Sequence, residues 1–198
     1  MLDQNFIYVS LLFAVIGYGN YIIDTYKGKT KPNRVSWSLW SLAALVTLYS
    51  QHELGGGIQL LYTGLQFVLP FTIVLVSFKD KKSYWRLTRY DFLCGVTSFV
   101  GIIFLLFVNQ PLVALWLGIF SDFFASIPTL IKCYTHPQTE SWKTYVLAVL
   151  SSLVVVLTVK PWAFVNYSFA FYVMLMNVLF VVLLLAPRRK KITKIANN

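Results

Sequence analysis

The sequence predicts an all-α integral membrane protein of seven transmembrane helices, arranged as two parallel repeats of a three-helix bundle joined by a linker helix. Three observations carry this reading. The first is composition: the 198 residues are 58% hydrophobic and only 12% charged, with a mean hydropathy of +0.67. A soluble domain carries about twice that share of charge, so this chain lacks the polar groups to cover a water-facing surface, and equally the polarity of a disordered one. The second is a set of apolar runs of spanning length. The third is where the basic residues fall.

A spanning helix needs about 20 mostly apolar residues. Seven segments qualify: near 5–24, 36–51, 57–78, 91–108, 111–132, 142–159 and 163–186. The first resembles a signal peptide only in length. It has Asp3 and no basic residue before Lys27, and no small-residue cleavage site, so it reads as a retained span. Stretches such as Ser151 to Val159 are continuously apolar rather than alternating, which favours helices over barrel strands. Six short loops and a tail remain, with no room for a soluble domain.

The net charge is +10. Lys27, Lys29, Lys31 and Arg34 follow the first span, and Lys79, Lys81, Lys82, Arg86 and Arg89 the third. Lys132 and Lys143 follow the fifth, and Arg188, Arg189, Lys190, Lys191 and Lys194 the seventh. In a seven-span topology all of these share one side, and Lys160 alone lies on the other. The positive-inside rule then puts the N-terminus outside and the C-terminus in the cytoplasm. It also accounts for the charge without nucleic acid as a partner. Cys94 and Cys133 lie near cytoplasmic helix ends and read as small packing residues rather than a disulfide.

Two loops are related. Residues 30–37 read TKPNRVSW and residues 135–142 read THPQTESW. Thr30, Pro32, Ser36 and Trp37 match Thr135, Pro137, Ser141 and Trp142 at a constant offset, and Asn33 matches Gln138 conservatively. Both loops join a first helix to a second. An offset of four helices keeps the orientation of the copies, so residues 1–78 and 111–187 form parallel repeats, residues 79–110 supply the linker helix, and residues 188–198 a basic tail. Parallel repeats about an axis along the membrane normal are a transporter plan, with the substrate site between the halves.

With this 3+1+3 plan, N-out and C-in, the chain resembles the PQ-loop/SWEET superfamily of small-solute transporters, whose members include sugar facilitators and lysosomal amino-acid exporters. The family's Pro-Gln pair, in the cytoplasmic half of each unit's first helix, corresponds in the second unit to Pro128-Thr129 and in the first to Ile23-Asp24, where the proline is absent. The Pro137-Gln138 pair lies later, in the loop. The resemblance covers nearly the whole chain in topology and implies a hinge at Pro128.

Asp122 is the one acidic residue deep in any span. A charged carboxylate there costs several kcal/mol, from about 2.5 upward, so it needs a partner, a proton or a wet cavity. It is either a proton-coupling or substrate-binding group, or a structural acid bonded to a neighbouring helix. Gln66 and Asn177 sit mid-span in the third and seventh segments, at depths where sugar facilitators of the family hold substrate with asparagines. Amides there also serve as interhelical glue. Tyr62 shares the face of Gln66, whereas Tyr172 lies about 140° around the helix from Asn177. Trp37 and Trp40, and at matching positions Trp142 and Tyr145, read either as an interfacial aromatic belt or as a cytoplasmic gate. Asn166 lies nearer the outer mouth. Pro70 removes a helical hydrogen bond without further argument.

The histidines, His52 and His136, fall in loops, so no intramembrane metal site or Ser-His pair is available. The last span holds no Schiff-base lysine and the chain no phosphate-binding glycine loop, so neither a retinal protein nor an ATP-driven pump is indicated. No cofactor and no enzymatic activity are expected. The expected partners are the lipid bilayer, a small polar solute and, if transport is coupled, protons. A homo-oligomer stays open. The expected location is the plasma (inner) membrane of a prokaryote. The competing reading is a non-transporting membrane protein acting as a sensor or partner-binding scaffold.

Overall fold

The computed structural model describes residues 2–79 and 110–186, and between them positions 85, 89, 92, 93, 95, 96, 99, 100, 103 and 107. The described residues are helical and contain no strand. The helices are α1 (Ile7–Tyr26), α2 (Arg34–Glu53), α3 (Gln59–Ser77), α4 (Pro111–Thr135), α5 (Trp142–Thr158) and α6 (Phe164–Leu185). They match the first, second, third, fifth, sixth and seventh predicted spans. The fourth, near 91–108, and the tail 188–198 fall largely or wholly outside the described residues.

Local chemistry sets the helix ends. The Asp3 side chain accepts from Asn5 N–H and opens a short 3-10 turn, Gln4–Phe6, leading into α1. The Asn33 carboxamide accepts from the Val35 and Ser36 N–H groups, so α2 begins at Arg34, inside the stretch that reads as loop in the sequence. Pro111 opens α4, where no N–H is needed. The turns after α1 and α2 close through Gly28 and Gly55, whose φ values of 70° and 74° suit glycine.

Four helices (α1 with its leading turn, α3, α4 and α6) are long and apolar enough to cross a membrane. α5 is apolar but shorter, at 17 residues. α2 has the length, but its sequence is diluted by Ser36, Ser41, Thr47, Ser50 and Gln51, all of which are buried. The polarity of α2 is therefore turned inward. The bundle repeats this inversion elsewhere: Ser10, Ser121, Ser151 and Thr158 are buried, while Tyr8, Leu12, Phe120, Leu175 and Val182 are exposed. Hydrocarbon as solvent rewards that arrangement.

The helices form a closed ring in the order α1, α3, α2, α4, α6, α5 and back to α1. Within the first three helices α3 sits between α1 and α2; within the last three α6 sits between α4 and α5. Two seams join the groups, α1 against α5 and α2 against α4. Each seam is tight at a glycine. A Cβ on Gly17 would meet Leu147 Cβ at 3.0 Å, and one on Gly118 would meet Thr47 Oγ1 at 2.8 Å. The α1/α5 seam also carries hydroxyl bonds: Ser10 and Ser151 Oγ lie 3.0 Å apart, and Thr144 Oγ1 donates to the Gly17 carbonyl at 3.0 Å.

Candidate functional site

The ring encloses a cavity of about 40 Å³ lined from all six helices. Asp122 from α4, Gln66 from α3 and Asn177 from α6 line it together, each nearly buried. Tyr172 O–H, from α6, donates to Asp122 Oδ2 at 2.7 Å. Tyr18 O–H, from α1, donates to Gln66 Oε1 at 2.6 Å. Asn177 Nδ2 is spent on the Val173 carbonyl of its own helix, 2.8 Å away. Ser126, one turn after Asp122, accepts from Trp40 Nε1 at 2.8 Å and donates to the Asp122 carbonyl. Among the described residues Gln66 Nε2 makes no hydrogen bond of normal geometry, and its near neighbour is the Tyr62 hydroxyl, which makes none either. Pro70 also lines the cavity, and lacking an N–H it cannot donate to the Gln66 carbonyl one turn back.

An aromatic stack bounds the cavity. Trp37 packs against Tyr18, Tyr21 and Trp40 with ring centroids 4.8–6.0 Å apart. Trp40 meets Phe180 edge-on, and Phe180 packs on Tyr145 at 4.8 Å. Behind that stack lies a cluster that the sequence pattern does not reveal. Lys132 and Glu140 form an ion pair with both side chains wholly buried. Tyr21 and Tyr145 each donate to Glu140 Oε2 at 2.9 Å, and Lys132 Nζ also donates to the Lys31 carbonyl. By its position in the sequence Lys132 counts as a loop cation; it is instead a buried residue in the last turn of α4. Its partner, at the end of the second TxP loop, carries no signal visible in hydropathy.

The two related loops meet here. Lys31 N–H donates to the Thr139 carbonyl at 3.0 Å. Their matched residues differ in setting. Thr30 is buried and bonded to Thr25, Pro32 and Ser36 are buried, and Asn33 caps α2. Thr135 and Gln138 are exposed, while Pro137 and Ser141 are half-buried. Trp85 packs on His136 and lies under the Lys132 ammonium, 5.3 Å from its ring centre.

The opposite end is closed by amides. Gln59 Nε2 donates to Asn166 Oδ1 at 2.6 Å, Thr63 Oγ1 to Gln51 Oε1 at 2.7 Å, and Gln51 Nε2 to the Val165 carbonyl at 2.9 Å. Asn166 is thus part of a buried network joining α2, α3 and α6.

The remaining candidates lie apart from the cavity. Tyr62 is fully buried among Ile7, Val155 and Phe169. Trp142 is 45% exposed, unlike its sequence counterpart Trp37 at 1%. Pro128 is buried within α4 but does not line the cavity. Tyr172, which helical spacing separates from Asn177, reaches Asp122 on the neighbouring helix, a relation no single-helix periodicity can reveal.

No family model, curated protein or solved structure matches this chain.

Proposed function

We propose that the chain is a membrane transporter of a small polar solute, working by alternating access in the manner of the PQ-loop/SWEET plan. The observation that carries this reading is the setting of Asp122. It lines a cavity between the helices instead of being packed dry, and about 40 Å³ is room for a few waters. A structural acid in a scaffold has no need of that space. Polar contacts at both ends, Lys132–Glu140 with its tyrosines and the Gln59–Asn166 amides, are the gates in this reading.

The ring order supports two three-helix units. Exchanging α1, α2 and α3 with α4, α5 and α6 turns each seam into the other. The Trp40–Ser126 bond supports it again. The residues at the repeat offset are Tyr145 and Tyr21, and these meet at one oxygen of Glu140. In this proposal the predicted fourth span links the units, the Lys132–Glu140 end faces the cytoplasm, and the N-terminus lies outside a prokaryotic plasma membrane. Asp122 is the coupling group if protons drive the cycle.

The test needs no substrate. Ala44→Cys and Ala148→Cys, both on the cavity wall, are made in a Cys94→Ala/Cys133→Ala chain and treated with a membrane-impermeant maleimide in vesicles of each orientation. Labelling from both faces is the expected result. Labelling from neither face makes the chain a non-transporting scaffold or sensor, and labelling of Lys160 by a membrane-impermeant amine reagent only from the cytoplasmic side overturns the topology.

A further inference from the structure

We infer that the central cavity takes a small organic cation bearing no carboxylate, an amine or amino alcohol. The inference rests on the transport reading for the route by which the ligand arrives, and adds the ligand's chemistry.

The first argument is the balance of charge on the wall. Among the described lining residues Asp122 is the one ionisable carboxylate, and they include no Lys, Arg or His. The nearby Lys132–Glu140 pair, behind Tyr145, neutralises itself. An ionised acid inside the bundle is therefore electrostatically incomplete, and a cation completes it. The second argument is the aromatic wall. Trp37, Trp40, Tyr145 and Phe180 surround the same space, and aromatic faces attract an ammonium, most strongly when it is desolvated. The third argument concerns the rest of the ligand. The Gln66 carboxamide lies on the cavity wall beside the Tyr18 and Tyr62 hydroxyls, a neutral polar group that suits a ligand hydroxyl.

An amino acid fits poorly. Its carboxylate would enter a site that already holds an acid and, among the described residues, offers no base to pair it.

The experiment titrates the purified full chain in detergent and follows the quenching of its tryptophans, two of which line the cavity. Matched pairs differ only in the group at issue: ethanolamine against glycine, and choline against glycine betaine, with glucose as a neutral probe. Ethanolamine or choline should saturate at a concentration at least tenfold below that of its carboxylate partner. Asp122→Asn should abolish that saturation and Asp122→Glu should keep it. Equal binding of glycine and ethanolamine, cation binding untouched by Asp122→Asn, or saturation by glucose alone overturns the inference. The matched pairs are read on the unaltered chain, so they decide between ligand classes even where Asp122→Asn folds poorly. Cation failure with two-sided cysteine labelling retained removes the ligand class and leaves transport standing. Cation binding with labelling from neither face does the reverse.

Discussion

Replacing Lys132 with Met deletes the cation of a pair whose two side chains are wholly buried. Glu140 then keeps the Tyr21 and Tyr145 hydroxyls on one oxygen, but no counter-charge. Breaking a buried pair by removing one partner costs about 3–5 kcal/mol; the two retained tyrosine donors place this case near about 3 kcal/mol, because hydrogen bonds to a charged group each recover part of the desolvation. At about 2–4 °C per kcal/mol for a chain of this size, the melting temperature should fall by about 6–12 °C. Thermal unfolding in detergent with a thiol-reactive fluorophore reads this directly, because Cys133 is fully buried and in the same cluster as Tyr145. The double variant Lys132→Met/Glu140→Gln removes the orphaned charge and should recover most of the loss. A fall of under about 2 °C for the single variant, which is below the cost of even one lost kcal/mol, would refute the reasoning. So would a double variant that melts no higher than the single one.

Three further outcomes follow from the geometry. Asn33→Ala removes the acceptor for two N–H groups at the start of α2; a loss of about 1 kcal/mol is expected in thermal unfolding. Gly118→Val sets a Cβ 2.8 Å from Thr47 Oγ1 and should cost about 1–3 kcal/mol in thermal unfolding, relieved in part by Thr47→Ala. Asn166→Leu strands the Gln59 amide in the buried network and should cost about 1–3 kcal/mol, more than the double Asn166→Leu/Gln59→Leu.

Hydropathy made the apolar helices legible, four of them long and apolar enough to cross a membrane, because a hydrocarbon solvent dictates length and apolarity with little help from tertiary contacts. α2 shows the limit: its serines and Gln51 lower its hydropathy, and only the assembled bundle explains them as an inward face. Asp122 was legible because a lone acid within a span has few tolerable settings, and Gln66 and Asn177 because few amides occur at that depth. The Lys132–Glu140 cluster was not. Its four side chains come from three helices and a loop, and a basic residue at a helix end looks the same whether it snorkels to water or turns inward. The two TxP loops likewise share a pattern but not an environment. Trp37 falls among the tyrosines of α1, whereas Trp142 faces outward, since sequence identity sets local shape and the neighbouring helix sets burial.

The hydroxyls along the α1/α5 seam bear on how readily the two groups of helices can shift. A helical serine or threonine can return its proton to the carbonyl one turn back, as Ser50, Ser126 and Ser152 already do. Ser10 and Ser151, now bonded to each other across the seam, have that same fallback. Parting these two therefore strands no donor in an apolar medium. In the proposed transport cycle that exchange of one hydrogen bond for another of similar worth would keep friction along this boundary low, with the amide and ion-pair contacts at the two ends as the detents.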